Sequence, residues 1–408
     1  MDDRRAEATH SANKAAAAQG GRRQEVFWAF LRLGLSAFGG PVAHLGYFRH
    51  EFVTRRQWLN DTAYADLVAL CQFLPGPASS QVGVALGLMR AGPWGAALAW
   101  LAFTLPSALL LVVFALGAAH VEGPLAQGLV SGLKITAVAI VAHAVWGMAR
   151  HLCPDKTRAG IALAGVFAVL LINGPLGQIG AILIGSLAGW LLCRQATAPL
   201  SEPLAFALSR RSGLIALGLF IALLGLLPLA ASNAAWLAVA YGFYRSGALV
   251  FGGGHVVLPL LEAQVVQSGW VSADAFLTGY GAAQAVPGPL FTFAAYLGAL
   301  LPDINPLVGA LLALLAIFVP GVLLLVGILP FWNSFRQWQG AQALMRGANA
   351  AVVGILAAAL YHPVWTSAII GPYEFALALS GFLLLSVWKL PAWAVVIVMA
   401  LGGLATAF

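Results

Sequence analysis

With 408 residues, 61% of them hydrophobic and only 9% charged, the chain cannot cover itself with a soluble surface. Its mean hydropathy of +0.89 makes the lipid bilayer its expected surroundings. The net charge of +7 could hint at nucleic acid, but the cations are spread over loops and form no single patch, so no nucleic-acid partner is expected.

Residues 1–26 are polar, Ala-rich and basic, with no short apolar core followed by a small-residue cleavage site, and read as a disordered cytoplasmic tail. A span needs about 20 mostly apolar residues. Segments of that kind lie near 27–46, 63–89, 94–119, 128–149, 159–173 and 176–193, within a first repeat over 27–195. A linker over 196–235 carries one extra segment, 213–231. A second repeat over 236–408 has segments near 236–252, 274–301, 307–329, 346–361, 364–386 and 391–408. Cys71, Cys153 and Cys193 show neither metal spacing nor a CxxC pair, so no disulfide framework, metal site or cofactor is expected.

The two halves carry the same markers in the same order. Phe38-Gly39-Gly40, Trp58, Gln72, Pro75-Gly76-Pro77, Pro106 and Gly132 return as Phe251-Gly252-Gly253, Trp270, Gln284, Pro287-Gly288-Pro289, Pro320 and Gly347. The offset drifts only from 212 (270−58 and 284−72) to 214 (320−106) and 215 (347−132). An even repeat, one further crossing and another even repeat would face each other in opposite orientation, so the predicted fold is an all-α polytopic membrane protein with two inverted-topology repeats. Lys and Arg in short loops favour the cytoplasmic side. With the N-terminus inside, Arg90, Arg150, Lys156, Arg158, Arg194, Arg210, Arg211, Arg336, Arg346 and Lys389 fall inside. Only the basic loop 47–60, with Arg49, Arg55 and Arg56, disagrees. It agrees if the Gly-Gly and Pro-Gly-Pro segments are re-entrant arms; the equivalent loop 254–273 has no Lys or Arg.

Such arms suit an anion, because free N–H groups at a helix start lie at the positive end of its dipole. Around the Gly-Gly breaks (Gly39, Gly40, Gly252, Gly253), the first Pro-Gly-Pro is followed by Ser79, Ser80 and Gln81 as donors, the second (with Gly288) only by Thr292. Gln72 and Gln284 each stand three residues before their motif (75−72 and 287−284). Arg32 and Arg245, each six residues before a Phe-Gly-Gly (38−32 and 251−245), are expected as buried cations able to grip an oxyanion. Lys134, with Asn349 at its matching position, is a further candidate, set against snorkelling to the interface. Coupling candidates are His44, His255, Glu51, Asp66 and Glu262, with a solvated loop as the plainer reading of Glu51. His143 is expected as hydrogen-bonded packing.

At these residues the chain resembles the chromate ion transporter (CHR) family in its long two-domain form. The resemblance rests on Arg32-x-Gly34 with Phe38-Gly39-Gly40-Pro41, on Gln72-Phe73-Leu74-Pro75-Gly76-Pro77 with Gly83 and Gly87, and on their second-repeat counterparts, from Phe27 to Phe408. It implies efflux of chromate through the bacterial inner membrane and chromate resistance, with sulfate as the look-alike anion. Gly254 in place of Pro41, and Leu290-Phe291 in place of Ser79-Ser80, put equal roles for the two copies in doubt. A membrane-embedded enzyme on a lipid substrate would need converging catalytic groups, but no DxxD or HExxH occurs among only fourteen Asp and Glu residues. A channel would differ in whether flux saturates. Apolar faces toward lipid and toward a second copy look alike, so a homodimer stays open.

If the arms are inverted, cysteines introduced at Gln57 and at Gln267 will react with a membrane-impermeant maleimide from opposite sides of the membrane. Reaction of both from one side would remove the inversion.

Overall fold

The computed structural model describes residues 21–118, 123–172, 174–194, 208–332 and 338–405; within that set all regular structure is helical. Arg336 and residues 1–20 and 406–408 lie outside it.

Helix α1 (21–36) ends at the Gly-Gly break, where Gly39 and Gly40 adopt φ of 97° and 72°, a region open to glycine at little cost. Helix α2 (Gly40–Phe48) then runs straight into a π-helical stretch, Arg49–Arg55. The two legs lie side by side: Phe30 stacks on Phe52 at 4.9 Å and meets Phe48 edge-on at 5.6 Å. Glu25, near the start of the first leg, is 3.0 Å from Arg56 at the end of the second, so the hairpin begins and finishes at one end. Two expectations are corrected here. Residues 21–26 are helical, because Val26 is fully buried, and the presumed loop 47–60 is largely helical, because Phe48, Phe52 and Val53 keep a buried face through it.

Helix α3 (Asp61–Phe73) opens on Asn60, whose side chain caps the Ala63 N–H, and ends at Leu74 before the first Pro-Gly-Pro. Helix α4 (Ala78–Ala118) is broken at Ala91–Gly92, where Gly92 takes φ 66°. Its limbs fold back closely enough that a Cβ on Gly87 would overlap Gly95. Arg90, at the end of the first limb, reaches Glu25 at 2.8 Å, so the second hairpin closes on the same carboxylate as the first. Helices α5 (Pro124–Leu152), α6 (Lys156–Leu171) and α7 (Pro175–Leu192) complete the first half. Helix α8 (Arg210–Ala230) is the lone extra span and is mostly exposed.

The second half repeats the hairpins. Helix α9 (Ala235–Ala248) and helix α10 (Val257–Val265) flank the second Gly-Gly break, tied by the Ser246 hydroxyl donating to the Leu260 carbonyl at 3.3 Å. Helix α11 (Ala273–Ala283) and the short helix α12 (Phe293–Ala299) flank the second Pro-Gly-Pro, tied by Tyr296 OH donating to the Ala275 carbonyl at 2.9 Å. Helices α13 (Pro306–Ile328), α14 (Gln339–Ala359), α15 (Pro372–Ser386) and α16 (Ala392–Ala405) follow. The expected helix over 364–386 starts only at Pro372, since Pro363 and Gly371 divide the segment.

The halves exchange helices. Helix α5 packs on α15 and α16, while α14, its counterpart, packs on α6 and α7. At both crossings glycines let backbones meet: Gly132 lies against Gly403, and Gly347 against Gly189 (347−132 = 215, 403−189 = 214). Close approach of small residues is how helices gain contact where lipid supplies no hydrophobic drive. His143, on α5, meets the Ser386 hydroxyl at 3.1 Å, a packing contact as expected. Six helices among the described residues are long and apolar enough to cross a membrane. Large side chains such as Leu171 (79%) and Ile370 (88%) lie bare on the outside, a surface that only lipid or another apolar body can cover.

Gly347→Leu would drive a side chain into the Gly185 carbonyl, whereas Gly147 has nothing within 4 Å of a new Cβ. The expected outcome is a lowered thermal midpoint in detergent for Gly347→Leu, at a cost of about 1–3 kcal/mol or more for overpacking. Gly147→Leu should leave it unchanged.

Candidate functional site

Helix breaks leave backbone groups without partners, and at membrane depth water is not there to satisfy them. Each half satisfies the other. The Gly76 N–H donates to the Val250 carbonyl at 2.8 Å, and the Gly288 N–H donates to the Ala37 carbonyl at 2.9 Å. Donors and acceptors are equivalent pairs (288−76 = 212, 250−37 = 213). Each Pro-Gly-Pro is thus pinned to the Gly-Gly break of the other half. Gly76 (φ 120°) and Gly288 (φ 101°) also admit close neighbours: a Cβ would lie 3.0 Å from Gly321 Cα in one case and 2.7 Å from Ser107 Oγ in the other. Gly254 packs so tightly on Pro41, with a Cβ 2.9 Å from its Cγ, that the second copy has no room for a proline.

The polar side chains gathered here divide into those already committed and those still open. His44 Nε2 donates to the Ala37 carbonyl at 3.2 Å, which makes Nδ1 the acceptor for the Ser79 hydroxyl at 3.4 Å. Gln81 Nε2 donates to the carbonyls of Pro75 and Gly321, both at 2.9 Å, and clasps the halves together. The Thr292 hydroxyl donates to Pro289 at 2.7 Å, and His255, beside Gly40, meets Tyr280 OH at 2.9 Å. By contrast Ser80 Oγ, Thr104 Oγ1 and Gln284 Nε2 are buried without a hydrogen-bond partner. An unpaired buried donor costs about 1–3 kcal/mol, which singles these atoms out as the candidate contacts of a group that brings acceptors. Gln81 Oε1 and Asn349 Oδ1, the latter 3.5 Å from where a Cβ of Gly252 would stand, are likewise unpaired but are acceptors. Ser79 and Ser80 lie in the first turn of α4, ahead of its first helical bond from the Gln81 N–H to Pro77, so their N–H groups add to the open donors.

The cations stand differently from expectation. Arg32 is exposed, because α1 turns Val26, Phe30, Leu33 and Ala37 inward and leaves Arg32 on the opposite face. Arg245 is half-buried but engaged, donating to Gln264 and lying over the Tyr241 ring at 5.1 Å. Lys134 pairs across the halves with Asp274, a partner the sequence did not suggest. Glu51 pairs with Arg56 at 2.6 Å and Arg55 at 3.3 Å, so it is no free loop charge. Asp66 is half-buried on α3, and Glu262 is buried with Gln267 Nε2 donating to it at 3.1 Å. Gln72 is exposed, whereas Gln284 is buried. Glu25 and Ser107 were also missed. Ser107 carried a signal, since it and Gly321 directly follow the equivalent prolines Pro106 and Pro320.

Known proteins agree with this duplicated architecture. The chromate transporter family matches residues 24–190 and again 237–405. The chain is 30% identical over 340 residues to a probable chromate transport protein of Synechococcus elongatus, covering 81% of this chain and 82% of the relative. It is 26% identical over 393 residues to a chromate transport protein of Pseudomonas aeruginosa (93% and 90%), and 29% identical over 349 residues to one of Cupriavidus metallidurans (83% and 81%). No solved structure gives a significant match. The family is one of transporters and not of enzymes, and with both halves matched in succession the chain is a member of the chromate transporter family.

Proposed function

We propose that this protein exports chromate from the cytoplasm across the bacterial inner membrane by alternating access, conferring chromate resistance, with sulfate competing for the same site. The reciprocal docking of the two Pro-Gly-Pro motifs carries the reading. It joins the segments that carry the open donors Ser80, Thr104 and Gln284: Gly76 lies beside Gln81, the neighbour of Ser80, and Gly288, on the same motif segment as Gln284, lies against Phe103, the neighbour of Thr104. Neutral donors on segments from both repeats suit a tetrahedral dianion, and transporters place such sites where repeats meet near mid-membrane. Relatives named as chromate transport proteins favour chromate among such anions.

Inverted repeats in one fixed state should be unequal in access. Arg32, Gly39 and Gln72 are exposed while their counterparts Arg245, Gly252 and Gln284 are half-buried or buried. Exposed Arg and Gln within apolar arms call for water, so this reading takes the first-repeat side as open, toward the cytoplasm by the distribution of Lys and Arg. An inside-negative potential favours export of a dianion by roughly 2.3 kcal/mol per charge per 100 mV.

Cells producing the protein should accumulate less radiolabelled chromate than cells without it, with sulfate excess reducing the difference. Ser80→Ala and Gln284→Leu should each weaken export by about tenfold, the effect of losing one hydrogen bond to a charged group. Chromate and sulfate levels unchanged by the wild-type protein would end the reading.

A further inference from the structure

The second return leg carries a buried carboxylate that no cation faces. In the first repeat Glu51 is 6% exposed and sits against Arg56 and Arg55. On the matching leg of the second, Glu262 is 7% exposed. The backbone closes the same way in both: the Arg56 N–H donates to the Glu51 carbonyl at 2.9 Å, and the Gln267 N–H to the Glu262 carbonyl at 3.3 Å. Yet Gln267 and Val266 stand five and four residues after Glu262, the spacing at which Arg56 and Arg55 follow Glu51 (267−262 = 56−51 = 5, 266−262 = 55−51 = 4). One neutral amide therefore faces Glu262 where two guanidinium groups face Glu51. A buried carboxylate without a cation favours its protonated form, and a proton is the smallest charge that can neutralise it.

Glu262 also has access to water. It lines a cavity of about 70 Å³ with Gly174, Gln178, Gln267 and His362, enough for one or two waters among polar partners. His362 is exposed and hydrogen-bonds Thr366 at 3.1 Å. Gln178 Nε2 donates to the Pro259 carbonyl at 2.8 Å and holds α7 against α10. Among the described residues no other ionisable group lines the cavity. Helix α6 contributes Val169 and Leu170, and α14 contributes Ile355, Ala358 and Ala359. On the neighbouring helices Arg245 of α9 is turned to Gln264 and Tyr241, and Asp274 of α11 is paired with Lys134. Gly174 begins α7, at the far end of α6 from Lys156 and Arg158. By the distribution of Lys and Arg, the cavity thus belongs to the outer side.

We propose that Glu262 is the proton-coupling site of the transporter: it takes one proton from the outer aqueous phase through this cavity and releases it inside, so that proton entry drives oxyanion export. The inference rests on the export reading above. The Oε–H bond forms and breaks with water as the only other party. The first repeat, with its carboxylate clamped by Arg56, is the fixed partner of the exchange.

Proteoliposomes containing the full chain separate the two readings. Chromate–chromate exchange at equal pH on both sides tests oxyanion transport alone, and net chromate flux under an imposed pH gradient tests the proton site. The wild type should show both. Glu262→Gln should keep exchange and lose the gradient-driven flux; Gln267→Arg, which restores the clamp of the first repeat, should do the same. Absence of wild-type exchange would end the export reading. Exchange with net flux indifferent to the pH gradient, or following a sodium gradient instead, would overturn the proton site. So would gradient-driven flux that persists in Glu262→Gln, or in Gln267→Arg should the first variant fail to fold.

Discussion

The structure depends on one constraint: backbone broken inside an apolar protein has to find hydrogen-bond partners without water. Among the described residues the Gly-Gly and Pro-Gly-Pro motifs break the chain four times, and both Pro-Gly-Pro breaks are satisfied from the other half, Gly76 by Val250 and Gly288 by Ala37. This choice has structural consequences. Neither half can keep its breaks satisfied alone, so the halves interlock, and the same interlocking extends outward as α5 crosses onto α16 and α14 onto α7. Glycine is required at Gly76 and Gly288 both for φ and for contact with Gly321 and Ser107. The Gln81 clasp between Pro75 and Gly321 is a second bond across the same seam.

Duplication sets the frame, and divergence sets the chemistry. The Gly254 position lost its proline because Pro41 of the other copy fills that space. Ser79 is matched by Phe291 and Ser80 by Thr292 (291−79 = 292−80 = 212), and the Thr292 hydroxyl is already bonded to Pro289 where that of Ser80 is open. Glu25, Arg56 and Arg90 clamp both hairpins of the first half at one end, whereas the hairpins of the second are tied by Ser246 to Leu260 and by Tyr296 to Ala275.

Much of this was legible in the sequence, because glycine and proline act locally. The breaks at Gly39-Gly40, Pro75–Pro77, Gly252-Gly253 and Pro287–Pro289 fall where the residues placed them, and the chain returns at Arg56 to lie beside Glu25. The pairing of breaks between halves was not legible, since the Gly76 and Val250 bond joins residues that only the fold brings together. Charges misled for a related reason. Arg32 and Arg245 are equivalent in sequence, but one faces out and the other holds Gln264, and which occurs is decided by the rotation of α1 and α9 against their neighbours. Likewise neither an anion contact nor snorkelling named the partner of Lys134, because Asp274 lies on a distant helix of the other half.

The commitment of these cations bears on how a dianion can be carried instead of trapped. A guanidinium or ammonium free in a low-dielectric pocket would attract a divalent oxyanion strongly and slow its release. Here Arg245, Lys134 and Arg56 are engaged by protein groups, and the open donors on the motif segments include a serine, a threonine, a glutamine and first-turn N–H groups. Neutral dipoles bind through geometry, each contributing little, so occupancy can be favourable enough to load yet weak enough to empty. On the proposed reading, discrimination between oxyanions of equal charge comes from the placing of those donors, which the interlocked breaks of the two halves set together.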